Sequence, residues 1–221
     1  VAMVADYLKK NKPKSKVILL DANPDIVSKP TLFRKGWEMY PGLIEYRKAA
    51  KVTAVNNQAM SVMVEGIDEV KGDVISVVPA QRATALMAGA GLIGEDKQWC
   101  TVNATTFEST LHKDVYVVGD SSNAGAMPKS GYSANSEAKV CATNIVAAMN
   151  GKEPVEMSGI CYSFLSHDEA IGVADIYTVN DGKIVGVPHS GGISKLDYSD
   201  AKLEAKYANS WLKNILTEMS T

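Results

Sequence analysis

The sequence is poor in the residues that would tie it to metals, membranes or nucleic acid. Its three histidines, His112, His167 and His189, stand far apart and no CxxC pair occurs, so the ligand spacing of a structural zinc site is missing. Three cysteines, Cys100, Cys141 and Cys161, are an odd number and too few to staple a small secreted domain. No apolar run approaches the roughly 20 residues needed to cross a bilayer, and no charged-then-apolar leader opens the chain. Lys and Arg total 23 against 25 Asp and Glu, a net charge of −2, so no basic field exists to hold a phosphate backbone and nucleic acid is not an expected partner. Val1 stands first in place of Met, and Val1, Val4, Ala5 and Leu8 already share one helical face, which reads as the start of a fragment.

What remains is an ordinary globular composition, 46% hydrophobic and 22% charged over 221 residues. After a break at Lys12-Pro13, the apolar run from Lys16 to Leu20 reads as a strand buried on both faces and ends in Asp21. An acidic residue at that place meets a ribose in nucleotide-binding βαβ units, or else serves as a solvated turn residue, and both readings stay open. Residues 25–40 carry helical spacing through Leu32, Trp37 and Tyr40, as core packing would. Val52–Val55 and Met60–Val64, joined by Asn56-Asn57-Gln58, suit a hairpin, and Asp73–Val78 reads as a further strand. This order of elements predicts an α/β protein of the doubly wound, parallel-sheet class with a β insertion. Gly89-Ala90-Gly91-Leu92-Ile93-Gly94 matches GxGxxG by letter, but a helix-like segment precedes it and no apolar helix follows, so it reads as a glycine-rich turn.

The segment with most chemistry is Val115–Asp120, a buried-strand pattern ending in Gly119-Asp120, then a loop to Lys129 and a helix from about Ser130 to Asn150-Gly151. Ligands of open α/β sheets sit beyond the carboxyl ends of strands, where Gly119 would admit a cofactor close to the backbone and Asp120 could accept a hydroxyl. The helix carries Ala134, Ala138, Cys141, Ile145 and Ala148 on its expected apolar stripe, and its N-terminus would favour a negative oxygen. Farther on, Cys161–Leu165 and Ile171–Val179 read as strands after a 153–160 linker. Asn180-Asp181-Gly182-Lys183 reads as a hairpin turn. A final helix over 200–219 would cover the sheet with Leu203, Tyr207, Trp211, Ile215 and Leu216.

The run Gly119-Asp120-Ser121-Ser122-Asn123-Ala124, continued by Met127-Pro128-Lys129-Ser130-Gly131-Tyr132-Ser133-Ala134-Asn135-Ser136, resembles the flavoprotein subunit of flavocytochrome c sulfide dehydrogenase. The resemblance extends through Cys161-Tyr162-Ser163, Ser190-Gly191-Gly192-Ile193 and Tyr207-Ala208-Asn209-Ser210-Trp211, and so over essentially the whole chain. It implies a two-dinucleotide-binding-domain, glutathione reductase-like flavoprotein fragment with a small α+β carboxyl-terminal domain. Residues 1–80 would be part of the NADH-type nucleotide domain, 81–150 the returning half of the FAD domain, and 151–221 the small third domain.

The implied activity is FAD-dependent oxidation of sulfide to sulfur or polysulfide through a redox disulfide, with electrons passed to a c-type cytochrome subunit in the periplasm. By resemblance, Cys161 is the catalytic cysteine, half of that disulfide, while Cys100 and Cys141 pack in the core. Gly119, Asp120, Lys129, Ser130, Gly131, Tyr132 and Trp211 would be cofactor-binding, with Lys129 and the amides of residues 130–132 at the flavin pyrimidine ring. A plain helix cap by Ser130 or Ser133, and a core role for Trp211, are the alternatives. The family's covalent flavin attachment site and pyrophosphate loop would lie outside this chain, so the chain alone is expected to be inactive. Other readings are a sulfide:quinone oxidoreductase or another FAD-dependent pyridine nucleotide-disulfide oxidoreductase relative, or an inactive docking or dimerisation module.

Overall fold

The computed structural model describes residues 1–152, 155 and 157–220. They form two compact units that exchange chain. The first comprises Val1–Pro79, Tyr162–Ile171 and Ser194–Thr221, and the second Ala80–Cys161 and Gly172–Ile193.

In the first unit, α1 (Ala2–Asn11) precedes β1 (Val17–Leu20), which pairs in parallel with β2 (Ile44–Arg47) across the intervening α2 (Pro30–Trp37). Pro30 opens α2 at a position where its missing N–H costs nothing. The core gathers Ala2, Ala5, Leu32, Tyr40, Leu165 and Ile171, and the Tyr40 hydroxyl donates to the carbonyl of Leu165 at 2.7 Å. A three-stranded antiparallel meander follows, β3 (Val52–Asn56), β4 (Ser61–Val64) and β5 (Ile67–Lys71), the expected hairpin with one more strand. β2 and β5 escape the sequence reading because IEYR and IDEVK put charges inside short runs, diluting the apolar signal. The expected strand over 73–78 does not form. Val74 and Val78 are exposed, with no neighbouring strand among the described residues to take their backbone groups.

The second unit holds α3 (Ala85–Gly89), a 3-10 turn at Gly119–Ser121, α4 (Gly131–Met149) and, from Met157 to Cys161 and from Gly172 to Ile193, most of a sheet in the order β6 (Met157–Phe164), β7 (Ala170–Asn180), β8 (Lys183–Gly186), with β9 (Gly192–Ile193) also on β7. The β7–β8 turn is the one expected: Asp181 and Gly182 both take positive φ, as a type I′ hairpin requires. The glycine-rich 89–94 segment is a turn, leading from α3 to an isolated bridge between Ile93 and Cys100. Phe107, Met127, Val140, Cys141, Met157, Tyr177 and Ile184 form the main core of this unit.

Five expectations need correction here. Val115–Asp120 is not a buried strand: only Val117 is buried, and the run makes a single bridge, Tyr116 to Glu108, because no strand lies beside it among the described residues. The supposed 153–160 linker is strand from Met157 onward, while residues 153, 154 and 156 lie outside the described residues. On α4 the buried stripe is Ser133, Glu137, Val140, Cys141, Asn144 and Ala147, one position off the alanine-rich stripe expected, and Ala138 and Ala148 are exposed. The final helix α5 (Ala201–Glu218) buries Ala201, Ala205 and Ala208, so Leu203, Tyr207 and Leu216 face solvent instead of covering a sheet. On α1, similarly, Ala2 and Ala5 are buried and Val4 is not. In these helices small residues permit close approach, which hydrophobicity alone underrates.

Gly36 on α2 tests that closeness. A Cβ there would stand 2.7 Å from Leu165 Cδ2 and 3.3 Å from the Tyr198 hydroxyl, and Leu165 is fully buried. Alanine would gain about 0.5–1 kcal/mol of helix preference but cost about 1–3 kcal/mol by overpacking. Gly36→Ala should therefore lower the thermal midpoint, and a midpoint at or above wild type would show that Leu165 yields freely.

Candidate functional site

Six of the eight residues marked in the sequence come together in the second unit, around the turn Gly119–Ser121 and the first turn of α4. Gly119 has φ +74, a conformation costly for any side chain, and a Cβ on it would stand 3.2 Å from Ala134 Cβ. The turn therefore rests directly on the helix. Ser130 caps α4 by accepting the N–H of Ser133 at 3.2 Å, and Gly131 beside it is exposed. Asp120 is exposed, and no described residue donates a hydrogen bond to its carboxylate.

Lys129 crosses over this turn. Its ammonium donates to the carbonyls of Asp120 (2.8 Å) and Ser122 (2.6 Å) and lies 3.9 Å from the centre of the Trp99 ring. Loss of water around it draws its pKa below the ordinary lysine value, opposed by the charges of Asp120, Glu137 and Asp96. Beneath the turn sits Glu137, only 3% exposed, which accepts the N–H of Gly119 at 2.6 Å. Burial pushes its pKa up against the Gly119 hydrogen bond and the Lys129 charge.

The sequence reading missed Glu137. Its signal was a lone acid spaced at i−4 and i+4 from Ser133 and Cys141, on the face that proves to be buried.

Cys161 lies on β6 and has partial solvent access, whereas Cys100 and Cys141 are buried in apolar clusters. Burial raises both buried thiols above the ordinary range, and Cys141 Sγ donates to the Thr106 carbonyl at 3.3 Å. β6 passes along α4 in a defined direction. The Ser158 N–H donates to the Ser136 hydroxyl at 3.2 Å, and Gly159 comes so near the first turn that a Cβ on it would meet Ser133 Oγ at 3.3 Å and Tyr177 Cε2 at 3.0 Å. From Ser136 to Ser133 the strand runs toward the helix N-terminus, and Cys161 follows about 7 Å farther along at the usual strand rise.

Trp211 is half-buried on α5 in the first unit. Asp21, also in the first unit, accepts the backbone and side-chain N–H groups of Asn23 at 2.9 Å and the Tyr46 hydroxyl at 3.1 Å. It thus serves its own turn, at the edge of an apolar cavity of about 320 Å³ lined by Leu19, Phe33 and Trp37. Among the described residues no cluster of His, Cys, Asp or Glu could hold a metal ion, and no helix is long and apolar enough to cross a membrane.

The mixed α/β fold that carries this turn and helix is shared with solved structures of other proteins. Solved structures with this fold include the sulfide:quinone oxidoreductase of Aquifex aeolicus (16% identity, TM-score 0.71, 98% of this chain and 53% of that one). A NAD-dependent persulfide reductase from A. fulgidus also matches (14%, TM-score 0.50, 92% and 46%), as does a chain in the mitochondrial ATP synthase of Tetrahymena thermophila (19%, TM-score 0.60, 93% and 52%). The chain spans about half the length of these structures.

Two family models narrow the class. Residues 1–79 match the central region of the sulfide dehydrogenase (flavocytochrome c) flavoprotein chain, and residues 153–219 match the flavin-binding region of flavocytochrome c sulphide dehydrogenase. The chain belongs to the flavocytochrome c sulfide dehydrogenase flavoprotein family.

The raised pKa of Glu137 has a measurable consequence. Its folded form holds a proton more tightly than the unfolded chain does, so stability falls as pH rises from the ordinary carboxylate value through the higher folded one. Unfolding midpoints measured across that window should decline in wild type and lose this part of the slope in Glu137→Gln. Identical slopes would show that Glu137 titrates as an ordinary carboxylate.

Proposed function

We propose that this chain forms part of a sulfide dehydrogenase, a flavoprotein that oxidises sulfide to sulfur or polysulfide and passes the electrons to a c-type cytochrome subunit in the periplasm. In this reading residues 1–80 belong to the NADH-type nucleotide domain, 81–150 to the FAD domain and 151–221 to the small third domain. The observation that carries it is the course of β6, which Gly159 lets pass against the first turn of α4 so that Cys161 is delivered toward the helix N-terminus.

The residues at that end fit a flavin. The exposed Asp120 carboxylate offers an acceptor for a ribityl or sugar hydroxyl, worth roughly 1.5–3 kcal/mol for a charged hydrogen bond. Gly119 admits the cofactor close to the backbone, and the amides of Gly131 and Tyr132 with the positive end of α4 favour negative charge on a ring placed there. Lys129 adds its charge to the same region. Bound FAD would supply a two-electron acceptor able to release electrons singly. Trp211 and Tyr132 are the aromatic residues we assign near the flavin on the cytochrome side.

Cys161 is the sulfur we assign to the reaction. Hydrosulfide attacks a disulfide that includes it, forming one new S–S bond and releasing the other cysteine as thiolate. Over a turnover each HS⁻ yields one sulfur atom, one proton and two electrons, and the disulfide is restored. Cys100 and Cys141 are set deep in apolar clusters with raised thiol pKa values, as packing residues are, and the family resemblance implies that the second sulfur lies outside these 221 residues.

One feature favours a second reading, a sulfide:quinone oxidoreductase. The chain shares its fold with one such enzyme, that of Aquifex aeolicus. Comparing reduction of a c-type cytochrome with reduction of a short-chain quinone by the sulfide-treated, flavin-loaded protein separates the two.

Cys161 should be alkylated in the native protein well before Cys100 or Cys141, as peptide mass mapping over a time course would show, and prior labelling of a buried thiol would contradict the assignment. In the flavin-loaded protein Cys161→Ser should abolish sulfide oxidation and leave the flavin bound. Turnover that persists in this variant would sink the disulfide mechanism.

A further inference from the structure

Glu137 is a carboxylate buried on a helix face, and among the described residues no ion pair offsets its burial. A buried charge is costly unless its hydrogen bonds are filled, and glutamine or an apolar residue would fill the same space. What Glu137 does reach is the turn. It accepts Gly119 N–H at 2.6 Å, and the Ser122 hydroxyl, which donates to the Gly119 carbonyl at 2.9 Å, lies 3.4 Å from the same carboxylate oxygen.

On the opposite side Lys129 takes the carbonyls of Asp120 and Ser122, and is itself seated on the Trp99 ring. The peptide groups of residues 119–122 are thus gripped by an anion at a donor end and by a cation at two acceptor ends. Each hydrogen bond is charge-assisted, the stronger kind. Asp120 lies between the two grips, with its carboxylate exposed.

We propose that Glu137 and Lys129 form a clamp on the turn Gly119–Ser122, and that Glu137 is a positioning residue for the hydroxyl-accepting carboxylate of Asp120. The proposal rests on the flavin-binding reading of Asp120 given above. Gly119 is the pivot: its positive φ sets the turn, its N–H meets Glu137, and its lack of Cβ lets the turn lie on Ala134. With the clamp removed, the turn keeps its sequence but loses the two charges that hold its peptide planes, and the carboxylate of Asp120 samples more than one position.

The test uses the flavin-loaded protein and two readouts, amide hydrogen exchange at Gly119 and the visible circular dichroism of the flavin. Glu137→Leu should speed Gly119 exchange about tenfold or more, and Glu137→Gln, which keeps a neutral acceptor, by less. Lys129→Met should do likewise, and the Glu137→Leu/Lys129→Met pair should be non-additive, since both act on one turn. The flavin band should change in the same sense as in Asp120→Ala. If Glu137→Leu does not fold, Glu137→Gln carries the comparison.

Gly119 exchange at the wild-type rate in the Glu137 variants would overturn the clamp. Faster exchange with an unchanged flavin band, while Asp120→Ala alters it, would overturn the positioning role. An unchanged band in Asp120→Ala itself would overturn the flavin reading, and the clamp would then stand or fall on Gly119 exchange alone.

Discussion

The hydrogen bond from Gly119 N–H to the buried Glu137 carboxylate joins the two elements on which the site depends. Without it the 119–121 turn would be an irregular segment following a run that pairs at a single bridge, for Val115–Val118 has no strand beside it among the described residues. Backbone groups in such a segment would otherwise be satisfied by water and free to rearrange. The carboxylate turns a stretch of loop into an extension of α4, a 19-residue helix with a serine cap and a positive-φ glycine at its far end. Chemistry that needs an exposed aspartate in one place can be built on that extension, because rigid elements hold a side chain better than loops do.

A second constraint, steric rather than electrostatic, brings β6 past the same end of the helix. Gly159 is the narrow point between β6, the Tyr177 ring and Ser133. Any side chain there would meet Tyr177 Cε2 at 3.0 Å, and Tyr177 is itself part of the main core of its unit, so the ring has little room to yield. The strand must therefore pass closely, and its direction along α4 follows from Ser158 meeting Ser136 in the second turn and Gly159 meeting Ser133 in the first. Electrostatics fix the turn and packing fixes the strand; the two meet at the N-terminus of one helix.

The sequence exposed the parts of this arrangement that have local signatures. α4 is bounded by Ser130 and by Asn150-Gly151, the β7–β8 turn is written in Asp181-Gly182, and β1 in an unbroken aliphatic run, so all three were legible. The Gly119-Asp120 turn was not legible as a structure, since a strand pattern is only a demand for neighbours and the described residues give this run a single bridge, Tyr116 to Glu108. The helix faces were misjudged for one common reason. On α1 and α5 it is Ala2, Ala5, Ala201, Ala205 and Ala208 that pack, and on α4 the buried face includes Ser133, Glu137 and Asn144. Hydrophobic spacing finds the face with the most apolar area, whereas close packing selects small residues and a site selects polar ones, and the two criteria part where helices come near each other or near a turn.

The three thiols show how burial sorts one residue type into different chemistry. For Cys100 and Cys141 the apolar surroundings disfavour the thiolate, and Cys141 also gives its proton to the Thr106 carbonyl. Both act as small apolar side chains, and raising the thiol pKa removes the nucleophile that exchange chemistry requires. Cys161 sits instead on a strand with partial solvent access. The partial positive charge at the N-terminus of α4 would favour negative charge on a ring placed beside it, and Glu137, buried one turn below, holds the Gly119 turn at that same end.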